Sequence, residues 1–453
     1  MIPLPVSDLA GLGELEASAD AVTGVQIDSR RIRPGDLFVA VRGGVGFLSQ
    51  ARNAGAAATL VPDDVFAAMA TIGRALRSRT SAEVVGITGS TGKTSTKDIL
   101  AALCSPHRRT VAAEASFNAE LGVPLTLARL EPDTELLICE LAMRGFGQIA
   151  ELCEIARPTM GVITAIGPVH LEFVESVAGV ARAKAELLEA LPRGAKAVVP
   201  AGVPELEPHL RSDLDVIKVG DYARLRSFEN GRLEAEIGGE QIALDVPFQS
   251  PHQAENTLTA LTAYWALGLP LERAGQGAAQ IELSRLRGEE LTLSGGAVLI
   301  NDCWNANPAS MAAALRDLAG RNGGRRIAVL GGMAELGREG PRYHREIGAQ
   351  TLAHVLNAAD AAAINRAMVE AVEGDLGRRF TTGAKVPGVT TAGKSGTAEL
   401  GGRGEPHSWF IGFAPAEAPT IAIAVIVEQA GRGAEVASPI AGDLMAMHLA
   451  AGG

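Results

Sequence analysis

The stretch GITGSTGKTS, residues 86–95, carries the chemistry most readily read from this chain. Glycines at 89 and 92 let backbone N–H groups approach phosphate oxygens. A lysine at 93 supplies a point charge, and the hydroxyl of Thr94 suits magnesium. Gly89, Ser90, Thr91, Gly92, Lys93, Thr94 and Ser95 are therefore the candidate phosphate-binding residues of an ATP site. The spacing departs from G-x-x-x-x-G-K-[ST], because Ile87 occupies the first glycine position and Gly86 lies beside it. A glycine-rich turn bearing a solvated lysine is the competing reading. The context opposes it: EVVGIT before the loop is an apolar strand, and KTSTKDILAALC after it has helical spacing.

A loop of this kind needs a sheet to hold it. Apolar runs at LLICEL and MGVITAI, each followed by a helical stretch, give the alternation of a parallel sheet covered on both faces. Glu140 ends the run LLICE, so its carboxylate emerges at the carboxyl edge of the sheet, where open α/β folds bind ligands. Upstream, residues 25–62 read as short strands, turns and one helix, a small α/β domain. Downstream, AVLINDCW, a helix from about Ser310 to Leu318 and a strand RIAVLGG begin a third α/β unit. Past about Ala353 the pattern becomes an alanine-rich helix and then TTAGKSGTAEL, HSWFIGFAP and TIAIAVIVEQ, which read as antiparallel strands. The expected division is 1–80, 81–286, 287–353 and 354–453.

Composition bounds the rest. A chain of 453 residues with 47% hydrophobic content can bury several cores. A net charge of −11 with few aromatics opposes a nucleic-acid binder. Cys104, Cys139, Cys153 and Cys303 are far apart and form no C-x-x-C pair, which disfavours a disulfide framework or a zinc site and fits a reducing compartment. No apolar run reaches the roughly 18 residues that span a bilayer, and the N-terminus lacks the pattern of a signal peptide. A cytoplasmic monomer without membrane or nucleic-acid partners is expected.

From about Val25 to Leu352 these motifs resemble the Mur ligases, whose short G-[TS]-x-G-K-T loop also lacks the first glycine. DCWNANPASM, residues 302–311, is similar to the D-x-Y-N-A-N-P-x-S-M signature of the member that adds D-alanyl-D-alanine, and the D-N-P-R element of the ligases adding the preceding residue is missing. The resemblance implies an α/β fold of three-domain Mur ligase type, with a central P-loop ATPase domain, a uridine-substrate domain at 1–80 and a partial, Rossmann-like third domain. It implies two Mg2+ ions held by Thr94, Glu140, His170 and a carbamylated Lys184. Taken alone, Lys184 is a surface helix lysine and His170 a structural histidine. The resemblance also brings Asn256 near the adenine, where a helix-capping or surface asparagine is the alternative, and assigns the ATP ribose to Asp302 and the domain junction to Arg287. Asp28, Ser29 and Arg30 look like the family's D-S-R substrate element, with a bland surface turn as the alternative. Ser116 and Asn118 fall in its asparagine-rich substrate loop. GGVGFLSQA stands where the family has D-G-H-x-F.

The implied reaction passes the γ-phosphate of ATP to a peptide carboxylate of UDP-N-acetylmuramoyl-tripeptide, and the amine of D-alanyl-D-alanine then attacks the acyl phosphate. Lys93, Lys184 and His170 would be its catalytic residues. The last hundred residues depart from this family. VPGVTTAGKSGTAELGGRGEPHSWFIGFAP resembles the K-[ST]-G strand of penicillin-binding transpeptidases, with Lys394, Ser395 and Gly396 as the motif. The serine nucleophile and S-x-N loop that a transpeptidase needs are missing, since STGK at 90–93 belongs to the phosphate loop. The alternative to an active ligase is therefore a catalytically dead nucleotide-binding chimera.

Overall fold

A computed structural model describes residues 1–115, 117–293, 296–321, 326–354, 358–375, 382–398, 405–427 and 430–450, the side chains of 349–354, 358–361, 382 and 398 aside. The chain forms two compact units, one of residues 1–320 with 329–350 and the other of 321–328 with 351–453.

In the larger unit, a four-stranded sheet near the N-terminus runs in the order Gly13–Ala17, Ala58–Pro62, Asp36–Val39, Gly24–Gln26. Helix Val65–Arg77 follows it, its first turn capped by the Asp64 carboxylate. A nine-stranded sheet then carries the phosphate loop. Its parallel part is ordered Asp215–Val219, Lys196–Pro200, Met160–Ile163, Glu83–Thr88, Leu136–Glu140, Thr110–Ala112, and an antiparallel meander of Ala223–Glu229, Arg232–Ile237 and Glu240–Asp245 extends it. Strand Glu83–Thr88 lies between two parallel neighbours, which is why its residues from Val84 to Thr88 are all buried and why the sequence there is an unbroken apolar run. Helices Lys93–Cys104 and Pro251–Ala266 bury Leu100, Leu103, Leu258 and Tyr264 in the core against this sheet.

The expected third α/β unit is only partly built. Helix Pro308–Gly320 forms, and strand Val298–Asn301 forms, but that strand pairs antiparallel with Glu289–Thr292 in a sheet of two. RIAVLGG, expected as a strand, is irregular, with Ile327 63% and Val329 93% exposed. A strand needs at least one neighbour to take up its backbone hydrogen bonds, and the described residues offer this segment none.

The smaller unit has an antiparallel sheet ordered Ala392–Ala398, His407–Ala414, Ile421–Val427. Phe410 and Val425 of that sheet, Val372 of helix Ala358–Glu373, and Ala441 and Met445 of helix Ala437–Ala450 form its core. No helix among the described residues is long and apolar enough to cross a membrane.

Candidate active site

The phosphate loop is built on two glycines whose positive φ a side chain would strain. Gly89 has φ 150° and Gly92 φ 78°. A Cβ on Gly89 would lie 1.9 Å from Thr164 Oγ1, and one on Gly92 would lie 2.2 Å from Asn256 Oδ1. Ser90 Oγ donates to the Gly167 carbonyl at 3.1 Å and accepts from the Gly167 amide at 2.9 Å, which fastens the loop to the segment after strand Met160–Ile163. Helix Lys93–Cys104 starts at once, so the amides of Lys93, Thr94 and Ser95 have no acceptor within the helix and present its positive end. Lys93 Nζ donates to the Gly89 carbonyl at 2.8 Å. Burial lowers the pKa of Lys93, Arg287 adds to the effect, and Glu140 opposes it.

Glu140 is the hub. It pairs in register with Ile87 on the neighbouring strand and is 1% exposed. Its Oε2 accepts from Thr94 Oγ1 at 2.9 Å, and its Oε1 accepts from Asn118 Nδ2 at 2.7 Å. One carboxylate thus joins the phosphate loop to the candidate substrate loop. Arg287 Nη2 donates to the same Thr94 hydroxyl at 3.3 Å. Ser116 lies outside the described residues.

Lys184, which the bare sequence leaves on a helix surface, is buried at 1% exposure and has no hydrogen-bond or ion-pair partner among the described residues. Burial pushes its pKa well below the usual lysine value, and Lys93 pushes further. His170 sits at φ 55° with its Nδ1 against the Glu335 carboxylate. Burial lowers its pKa, partly offset by Glu335.

On the nucleotide side, Asn256 lies inside helix Pro251–Ala266, which sets aside the capping alternative. Its Nδ2 donates to Gln253 Oε1 at 2.9 Å, and Gln253 Nε2 donates to the Arg287 carbonyl at 3.3 Å. The Arg287 guanidinium stands 5.7 Å from the centre of the Trp304 ring. Burial raises the pKa of Asp302, while His252 and Arg287 oppose it. Asn256, Arg287 and Thr94 are thus joined, with Asp302 within electrostatic reach of Arg287.

Asp28, Ser29 and Arg30 form a 3-10 turn at some remove from this cluster. Asp28 caps it, Ser29 Oγ donates to Gln50 Oε1 at 3.1 Å, and Arg30 turns its guanidinium onto Asp28 at 2.7 Å. The next residue makes the connection: Arg31 pairs with Glu114 at 3.1 Å, in the loop that leads to Asn118. A surface cleft lined by Arg74, Arg77, Glu154, Arg157, Glu186 and Glu189 contains none of these residues.

Sequence reasoning missed Lys97, Arg144, Gln253 and Glu335. Lys97, 1% exposed, donates to the carbonyls of Ala113 at 2.7 Å and Ala115 at 2.9 Å and pairs with Asp98 at 2.7 Å, so it pins the loop carrying Glu114 and Asn118. Its place one helical turn after Lys93 was the available signal. Glu335 gave none, being 165 positions from His170.

Residues 87–264 match the Mur ligase middle domain, and residues 256–446 match the penicillin binding protein transpeptidase domain, which thus reaches further upstream than the tail alone. The chain is similar to the UDP-N-acetylmuramoyl-tripeptide--D-alanyl-D-alanine ligase of Synechocystis sp., 34% identical over 366 residues that span 73% of this chain and 77% of the relative. The ligase of the same name from Escherichia coli is 30% identical over 402 residues, 81% and 86% of the two chains. Among solved structures, MurF from Acinetobacter baumannii superposes with TM-score 0.69 at 23% identity, covering 82% of this chain and 93% of that one. MurF from Thermotoga maritima in complex with ADP superposes with TM-score 0.63 at 26% identity, covering 72% and 82%. With a phosphate loop, a buried carboxylate at its mouth and relatives aligned over most of their own length, the chain belongs to the Mur ligase family.

Proposed function

We infer that this chain is an ATP-dependent ligase that joins D-alanyl-D-alanine to UDP-N-acetylmuramoyl-tripeptide in peptidoglycan precursor synthesis. The observation that carries the reading is the bridge Thr94–Glu140–Asn118, which brings the nucleotide loop and the acceptor loop onto one carboxylate. The relatives that bear this activity in their names lend no support to the catalytically dead alternative.

The acceptor carboxylate attacks the γ-phosphorus of ATP, the bond to the β–γ bridging oxygen breaks, and ADP leaves. The amine of D-alanyl-D-alanine then attacks the acyl phosphate carbon, phosphate departs, and the nitrogen loses a proton as the amide forms. Lys93 and the amides opening helix Lys93–Cys104 bear on the charge that gathers on the phosphate oxygens. Mg2+ suits this donor set, because it takes oxygen ligands and needs one or two carboxylates beside substrate phosphates. Thr94 and Glu140 would hold one ion, and His170 with a carbamylated Lys184 a second, where they would neutralise phosphate charge. Among the described residues no group of three or more His, Cys, Asp or Glu gathers, so water and substrate oxygens would complete either site. Burial lowers the pKa of Lys184, and the neutral amine is the form that would add CO2 and release a proton. Asn256, Arg287 and Asp302 would hold the nucleoside, and Asp28, Ser29 and Arg30 of residues 1–80, together with Ser116 and Asn118 of residues 81–286, the uridine-linked substrate. UDP- and ATP-linked substrates belong to the cytoplasm, where the chain would act as a monomer.

The test is phosphate release from ATP with Mg2+ and both substrates. Release that requires both and disappears in Lys93→Ala establishes the ligase; ATP binding without release overturns it.

A further inference from the structure

Two non-glycine residues in the ligase unit, His170 at φ 55° and Glu335 at φ 59°, hold left-handed backbone conformations and touch each other. Such strain persists only where the surroundings enforce it, and it gathers at functional sites. The surroundings here are specific. The Glu172 amide donates to the Glu335 carbonyl at 3.2 Å, and Gly337 backs so closely onto Glu172 that a Cβ there would lie 3.2 Å from its Cα. Met333 and Leu336 are buried on either side of Glu335, and Arg144 Nε meets its Oε1 at 3.2 Å. Its other oxygen, Oε2, is against His170 Nδ1. No described residue bonds His170 Nε2.

A carboxylate only accepts hydrogen bonds, so the imidazole nitrogen facing it must carry the proton. We propose that Glu335 is a positioning residue for phosphoryl transfer: it fixes His170 in the Nδ1–H tautomer and keeps Nε2 as the free lone pair. The segment Met333–Gly337, far along the chain from the phosphate loop, thereby completes the chemistry of the central sheet. A neutral histidine without such a partner favours the Nε2–H form, whose available lone pair is already spent on the wrong nitrogen. This inference rests on the ligase reading above for its kinetic arm and stands apart from it in its spectroscopic arm.

The experiment is a long-range 1H–15N correlation on the whole chain labelled with 15N-histidine, at a pH where the ring is neutral, with His170→Gln assigning the signal. The wild type is expected as Nδ1–H, Glu335→Gln the same through its amide oxygen, and Glu335→Leu largely as Nε2–H. Glu335→Leu should also lose about 10- to 100-fold in kcat while KM for ATP moves less than about twofold, as for other orienting partners of a ligand histidine. Should Glu335→Leu fail to fold, Glu335→Asp, too short to reach the ring, carries the same expectation. An Nε2–H wild type, a tautomer unmoved in Glu335→Leu, or an unchanged kcat in that variant would overturn the proposal. A wild type that is Nδ1–H yet releases no phosphate with its substrates leaves the tautomer assignment intact and strikes out the ligase reading.

Discussion

The regions around Lys97 and Lys184 bury the same side chain to the same 1% exposure and treat it in opposite ways. Lys97 meets two carbonyls and a carboxylate, so its charge is fully accommodated and its task is to hold backbone. Lys184 has no hydrogen-bond or ion-pair partner among the described residues, and Lys93 adds to the lowering of its pKa by burial. An amine buried without a partner costs stability, and a fold keeps one where the amine does something else. The contrast separates a lysine that holds backbone from one that is proposed to act in the chemistry, although both stand in helical stretches.

Substitution should break this contrast cleanly. Lys93→Ala, which removes the cation of the phosphate loop itself, is expected to cut substrate-dependent phosphate release about a thousandfold while leaving the unfolding midpoint nearly in place. Lys97→Met strands the Ala113 and Ala115 carbonyls and the Asp98 carboxylate. Denaturant titration should show a loss of about 3 kcal/mol, with KM for the uridine-linked substrate rising far more than KM for ATP. Lys184→Met should move the other way, gaining about 1 kcal/mol in the same titration while ligation disappears. A destabilised Lys184→Met would show that the buried amine has a structural partner and would erase the distinction.

The smallest effect lies outside both regions. Arg30 holds the exposed Asp28 carboxyl down to about 2, from an ordinary 3.8, chiefly through their side-chain hydrogen bond. A folded-state pKa below the unfolded one gives stability that is present above pH 4 and fades as pH falls towards 2. Asp28→Asn should therefore lose less of its melting temperature than the wild type between pH 5 and pH 2.5, by a margin measurable only in careful calorimetry.

Much of the centre of this molecule was legible beforehand because its signals are local. The VVGI of EVVGIT is apolar since strand Glu83–Thr88 is covered on both faces, and Gly89 and Gly92 are glycines since their φ is positive and Thr164 and Asn256 occupy the space a Cβ would take. Lys184 resisted because helix spacing does not reveal which neighbours close over a side chain. Glu335 resisted because its partner arrives from a distant part of the chain. RIAVLGG misled for the opposite reason: its residues have every preference of a strand, and the neighbours that would pair with it are not among the described residues. Propensity names what a segment would do in company, and company is a property of the fold.

That unfinished edge has a consequence for the life of the protein. Ile327 and Val329 expose apolar surface beside irregular backbone, in a run with strong strand preference and no acidic residue to interrupt it. Such a run is what seeds association between copies of the chain as concentration rises.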